Sequence, residues 1–184
     1  MNAGRVGFRP LDGGDLRLLH EWLQREHVRR WWADHATYED VVAHYLPAIE
    51  GRDPTDHYLV LLDGRPIGFV ETYLVSDHPE YARVVRVGDG VAGVDLFVAE
   101  EELTGKGLGT EVLRAFVCDV VFAEPATIAC VAGPDARNGA SIRAFEKAGF
   151  QAVREFHDPT DGRDHVLVRL DRCGVGFADA GSAP

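Results

Sequence analysis

AGVDLFVAEEELTGKGLGT, residues 92–110, is the stretch whose reading decides the rest of the chain. Its first half alternates like a strand. Val94, Leu96 and Val98 fall on one side, and Asp95 falls on the other with Gly93 and Phe97. Its second half is a glycine loop, Gly105-Lys106-Gly107-Leu108-Gly109, and a helical pattern follows at once through Leu108, Val112, Ala115 and Phe116. A strand, a glycine turn and a helix N-terminus in that order make an anion site. Glycines allow close backbone approach, several N–H groups point one way, and the helix dipole favours negative charge.

Two familiar phosphate loops do not fit. A dinucleotide-binding turn needs a third glycine where this chain has Thr110, and a Walker loop needs Ser or Thr where it has Gly107. By spacing alone, a plain strand-to-helix turn fits as well as a ligand loop.

Working outward, the 184 residues suit one domain with a sizeable core. We expect that domain over residues 1–172 and a frayed tail over residues 173–184. No apolar run is long enough to span a bilayer, and the first residues lack the apolar core of a signal peptide, so a cytoplasmic location is expected. The formal charge of −11 argues against a nucleic-acid partner and suits a cationic substrate. Three cysteines lack paired spacing, and Cys118 and Cys130 read as small core hydrophobes. His20-Glu21 lacks the second histidine of a zinc helix, since position 24 is Gln24, and no metal site is expected.

Along the chain, Val6–Leu11 reads as a strand. Asp15 is placed to cap a helix carrying Leu16, Leu19, Trp22 and Leu23, and the pattern restarts through Val28 to Trp31-Trp32. A further helix runs from Tyr38 into Pro47. His57–Leu62 and Pro66–Val75 form a hairpin about Asp63-Gly64. Ser76 to Gly90 reads as a charged loop. After the central strand and its helix come a strand at Thr127–Val131, a helix at Asn138–Ala148 closed by Gly149, and strands at Phe150–Phe156 and His165–Leu170. The expected fold is α/β: one domain with a mixed, mostly antiparallel sheet flanked by helices.

Two segments carry a resemblance. Thr104 to Gly109 resembles the coenzyme A loop of the GNAT acetyltransferase superfamily (Gln/Arg-x-x-Gly-x-Gly/Ala), with Thr104 departing at the first position. Asn138 to Phe150, NGASIRAFEKAGF, resembles the superfamily's N-x-x-A-x-x-x-Y-E-K-x-G-F. Within it the chain resembles the aminoglycoside 6′-N-acetyltransferases through Glu21-Trp22-Leu23, His27, Trp31-Trp32, Tyr45-Leu46-Pro47, Gly64 to Gly68, Gly93-Val94-Asp95 and Gly105 to Thr110. The similarity extends from Phe8 to Leu170. Siderophore acyltransferases share the layout but carry His where this chain has Asp95.

The resemblance implies acetyl-CoA as co-substrate and a cationic aminoglycoside as acceptor, with no metal and a monomer or homodimer. It places the coenzyme on main-chain groups at Phe97 and Val98, on Gly105, Lys106, Gly107, Leu108, Gly109 and Thr110, and near Asn138. It makes Asp95 the base or amine anchor, and Trp32, Tyr45, Glu71, Tyr73 and Asp161 the other substrate contacts. Carboxylates give charge-assisted hydrogen bonds to ammonium groups, and aromatic faces stack on sugar and cation. Two departures stand out: Gly133-Pro134 replaces the family's Asp before proline, with Asp135 two residues on, and Phe145 replaces the usual tyrosine. Another GNAT acyltransferase, acting on a siderophore hydroxylamine, polyamine or protein terminus, and a non-catalytic acyl-CoA sensor remain open on these residues.

Overall fold

The structure, a computed structural model, describes residues 5–32 and 36–172. The expected tail at residues 173–184 lies outside the described residues. Strand β1 (Val6–Pro10) leads through Asp12 into a short 3-10 turn and helix α1 (Leu16–Leu23). Asp12 caps that turn by accepting from the Gly14 N–H, and Asp15 closes the box by accepting from the Asp12 N–H at 3.0 Å; Asp15 makes no cap bond to α1 and also takes both guanidinium nitrogens of Arg9, at 2.9 and 2.8 Å. Asp15 is therefore a clasp between β1 and α1, not the expected cap.

Helices α2 (Glu26–Arg29) and α3 (Tyr38–Ile49) follow. Thr37 and Asp40 form a reciprocal cap at the start of α3. Pro47 does not end this helix: it sits within the last turn, where the chain continues to Ile49 and the Pro47 carbonyl accepts from the Arg52 N–H. The hairpin β2 (Asp56–Leu62) and β3 (Arg65–Leu74) turns at Asp63 and Gly64, both at positive φ.

Where a loop was expected after Ser76, the chain forms a 3-10 turn and helix α4 (Pro79–Val85), with Pro79 in its first turn and Val85 buried. Then come β4 (Val91–Val98), α5 (Leu108–Asp119), β5 (Ala129–Ala132), α6 (Gly139–Ala148), β6 (Gln151–Asp158) and β7 (Arg163–Asp171). The seven strands make one sheet in the order β1-β2-β3-β4-β5-β7-β6, antiparallel throughout except for β4 beside β5.

The pleat of β4 divides the interior. Ala92 and Val94 pack with Val112, Phe116 and Phe145 under α5 and α6, while Phe97 packs with Trp22, Tyr45 and Phe69 under α1 and α3. A third cluster, Val75, Val85, Val131 and Phe156, seats α4. Cys130 is buried as expected, but Cys118 is exposed. Glu111, Arg114 and Cys118 share the outward stripe of α5, because the inward seam runs through Val112, Leu113, Phe116 and Val117.

Candidate active site

The site begins with a gap in the sheet. β5 pairs with β4 only at Val91, Ala92 and Gly93, and the chain leaves β5 at Gly133-Pro134. β3 stays paired along the whole of β4, setting Tyr73 opposite Gly93 and Glu71 opposite Asp95. Asp95 is thus the first residue on its face beyond the divergence of β4 and β5. Gly93 is required beneath it: a Cβ there would stand 2.4 Å from the Tyr73 ring. The missing side chain lets that ring lie against the β4 backbone and its hydroxyl donate to Asp95 Oδ2 at 3.1 Å.

Burial, followed by the charge of facing Glu71, pushes the Asp95 carboxyl up to about 7 despite the Tyr73 hydrogen bond and the field of His165. Burial and the Asp95 charge also push the Tyr73 phenol well above its ordinary value, so it remains a donor. Glu71 Oε2 meets His57 Nε2 at 3.2 Å. On the far side, His165 Nδ1 stands 2.7 Å from the Gly133 carbonyl and Nε2 3.1 Å from Asp161 Oδ2.

These groups line a cavity of about 450 Å³. Among the described residues its wall holds five carboxylates (Glu71, Asp95, Asp135, Asp158, Asp161) and one guanidinium, Arg163. Trp31 and Trp32 close one side, with the Trp32 ring edge-on to Phe69 and Phe97. Such a space suits a polycation with a ring skeleton and repels an anion.

The structure brings Trp32, Glu71, Tyr73, Asp95 and Asp161 to one cavity, with Asn138 at its edge. It does not bring Tyr45. That side chain is fully buried, and its hydroxyl accepts from Trp32 Nε1 at 3.3 Å, so it braces the wall from behind instead of forming it. Asp135 lines the cavity but is already held: Arg137 hydrogen-bonds both its carboxylate oxygens, at 3.0 and 2.7 Å. Those bonds, with the backbone N–H and charge of Arg137 and the charge of Arg163, hold its carboxyl down at about 2. It is a poor stand-in for a free substrate carboxylate at the position of Gly133.

The glycine loop has a shape that suits an anion. Gly105 and Gly107 take positive φ, and Cβ atoms at Gly105, Gly107 or Gly109 would meet nothing within 4 Å. α5 starts at Leu108 with no side chain capping it, so its first-turn amides face the open side of the loop, which fits a diphosphate. Lys106 is exposed, whereas Thr110 is buried with its hydroxyl toward the Ala144 carbonyl, leaving only its main chain for a ligand. The Phe97 side chain is core, so it too offers only main chain; Val98 is half-buried. Asn138 accepts from the Ser141 N–H at the start of α6. Among the described residues no group of three His, Cys, Asp or Glu is placed to hold a metal.

The profile described as Acetyltransferase (GNAT) domain matches residues 12–158. The chain belongs to the GNAT acetyltransferase family. This acetyltransferase is 34% identical over 149 residues to aminoglycoside N(6′)-acetyltransferase type 1 of Klebsiella pneumoniae, covering 79% of this chain and 74% of the relative. It superposes on the aminoglycoside acetyltransferase AAC(6′)-Ib in complex with coenzyme A and kanamycin with a TM-score of 0.79 at 33% identity, covering 91% of this chain and 95% of that one. An aminoglycoside N(6′)-acetyltransferase from Legionella pneumophila, at 20% identity and a TM-score of 0.73 over 93% of this chain and 94% of that one, shares the fold.

Two residues, one lining the acetyltransferase cavity and one behind it, carried no reading from the sequence. Tyr81 lines the cavity from α4; proline at the first helical position, with Tyr81, Ala82 and Val85 at helical spacing, is the signal that would have found it. His57 carries no local signal, because only strand register brings it to Glu71.

Proposed function

We propose that this acetyltransferase transfers the acetyl group of acetyl-CoA to the 6′-amine of aminoglycosides. The observation that carries the reading is the cavity wall, with five carboxylates against one guanidinium among the described residues and a carboxyl of raised pKa where the sheet opens. The names of the relatives point to the same substrate.

The arrangement supplies a physical route. Glu71 and Asp161 attract the ammonium groups, Trp32 stacks on a ring, and Tyr73 orients Asp95. Asp95, near neutrality, takes one proton from the ammonium, matching the pKa requirement of a general base at physiological pH. The neutral nitrogen then attacks the thioester carbonyl. The C–N bond forms, the C–S bond breaks, and the proton then lost from the acylated nitrogen passes through water to the thiolate, since Phe145 has no proton to give. A main-chain N–H at Phe97 or Val98 is the donor for the developing oxyanion. Gly105 to Thr110 holds the diphosphate, and Asn138 lies by the pantetheine. Holding both reactants together contributes up to about 7–11 kcal/mol in well-oriented systems.

A thiol-release assay with acetyl-CoA across an amine panel tests the proposal. Kanamycin should turn over well, polyamines and peptide N-termini poorly. Preference for either of the latter would overturn the substrate reading.

A further inference from the structure

His57 is buried in β2, packed edge-on to Tyr45 and tilted against Phe69, and does not line the cavity. Its Nε2 meets Glu71 Oε2 at 3.2 Å, and its Nδ1, among the described residues, has no hydrogen-bond partner. A buried ring nitrogen without a partner is costly, and far costlier as an N–H than as a lone pair. The ring therefore carries its hydrogen on Nε2, the nitrogen that stands 3.2 Å from Glu71 Oε2. Glu71 in turn stands directly opposite Asp95. Two carboxylates so placed do not both ionise freely, and the one with the better donor keeps the charge.

We propose that His57, which reaches no ligand, is a positioning residue: its Nε2–H holds the negative charge of the acidic pair on Glu71 and so leaves Asp95 as the member that receives the substrate proton. The inference rests on the reading of Asp95 as base. The raised Asp95 carboxyl agrees with it. Other groups face the pair as well. Tyr73 donates from β3 to Asp95, while Tyr81 from α4, Cys130 from β5 and His165 from β7 lie within its field. Behind His57 lies Asp53, whose carboxylate feels both His57 and His78. Of all these, His57 is the one whose ring nitrogen stands within 3.2 Å of a Glu71 oxygen.

Two variants separate this role from simple packing. His57→Leu fills the site without a donor, and His57→Gln places an amide N–H where Nε2 sits. In His57→Leu the proton moves to Glu71, Asp95 loses its like-charged neighbour, and the acid limb of kcat/KM should move down by about one pH unit. KM for kanamycin should rise as Glu71 loses its charge. His57→Gln should track wild type in both. A purely structural His57 would lower stability in both variants and leave the limb in place, which would overturn the proposal. Carboxyl-carbon NMR of the wild-type protein gives a readout that needs neither turnover nor a folded Leu variant. Asp95 should be the later of the two facing carboxyls to lose its proton; the reverse order also overturns the proposal. Absence of acetyl transfer to any aminoglycoside, with that titration order intact, would count against the substrate reading alone.

Discussion

Asp95→Asn removes one charge and keeps the shape, and the structure gives its effect a sign in two assays. Wild-type Asp95 titrates at about 7 in the folded protein, against an ordinary 3.8. Between those values the folded chain holds a proton that the unfolded chain has lost. Stability therefore falls as pH rises through that window, by about 1.4 kcal/mol per pH unit. The full window amounts to a ceiling of about 4 kcal/mol; water in the cavity screens part of it, so about 2 kcal/mol is the working figure. Asp95→Asn escapes that loss. At pH 8 it should unfold about 4–8 °C above wild type, and at pH 5 that gap should shrink to less than half. Turnover on kanamycin should drop by roughly 10²–10⁴ while acetyl-CoA affinity holds. The assays are thermal unfolding at both pH values and a thiol-release rate. Equal midpoints at pH 8 would refute the buried-charge argument, and unchanged kcat and KM would refute the role.

Gly93→Ala puts a methyl 2.4 Å from the Tyr73 ring, so the ring must move and Asp95 loses its donor; stability should fall by about 1–3 kcal/mol, and the acid limb of kcat should move up, which a pH–rate profile on this variant and on Tyr73→Phe will check. Gly107 stands at φ 90°, so Gly107→Val should weaken acetyl-CoA binding through strain and blocked backbone approach; calorimetry showing wild-type affinity in a folded variant would remove the loop from the coenzyme site. Aminoglycosides with a 6′-amine should be acetylated and their 6′-hydroxyl analogues left unmodified at that position; mass spectrometry placing the acetyl on another ring of a 6′-amino substrate would contradict the regiochemistry.

The strands were legible because each alternates and ends at a turn signal: Asp63-Gly64, Gly105 to Gly109 and Gly149 are all at the positions their conformations demand. α4 was not, because its seven residues bury little and their charges mask the pattern. Burial of the helical side chains was only partly readable. The α5 seam includes Leu113 and Val117, which turns Cys118 outward, and Tyr45 sits beneath Trp32 rather than beside it. Asp135 looked like a candidate substitute carboxylate; the arginines that occupy it come from a turn and from β7, and only the assembled fold shows their reach. Register is likewise invisible in sequence, so the row His57, Glu71, Asp95 across three strands had no signature.

That row is also where the sheet departs from what stability alone would select. It sets two carboxylates directly opposite each other, leaves a buried imidazole nitrogen without a partner, and depends on a glycine in mid-strand to seat a tyrosine. Local conflicts of this kind collect at sites of chemistry. The position of the aspartate within β4 follows from the two neighbours on its face. At 93 a side chain would meet the Tyr73 ring and sit where β5 still pairs with β4. At 97 it would replace the ring that stacks on Phe69 and meets Trp22 and Trp32, placing a carboxylate in the apolar core. Position 95 alone lies beyond the last β4–β5 pair and short of that core. There a carboxyl is shielded enough for its pKa to rise and open enough to meet an amine, so the divergence of two strands fixes both the place and the proton affinity of the base.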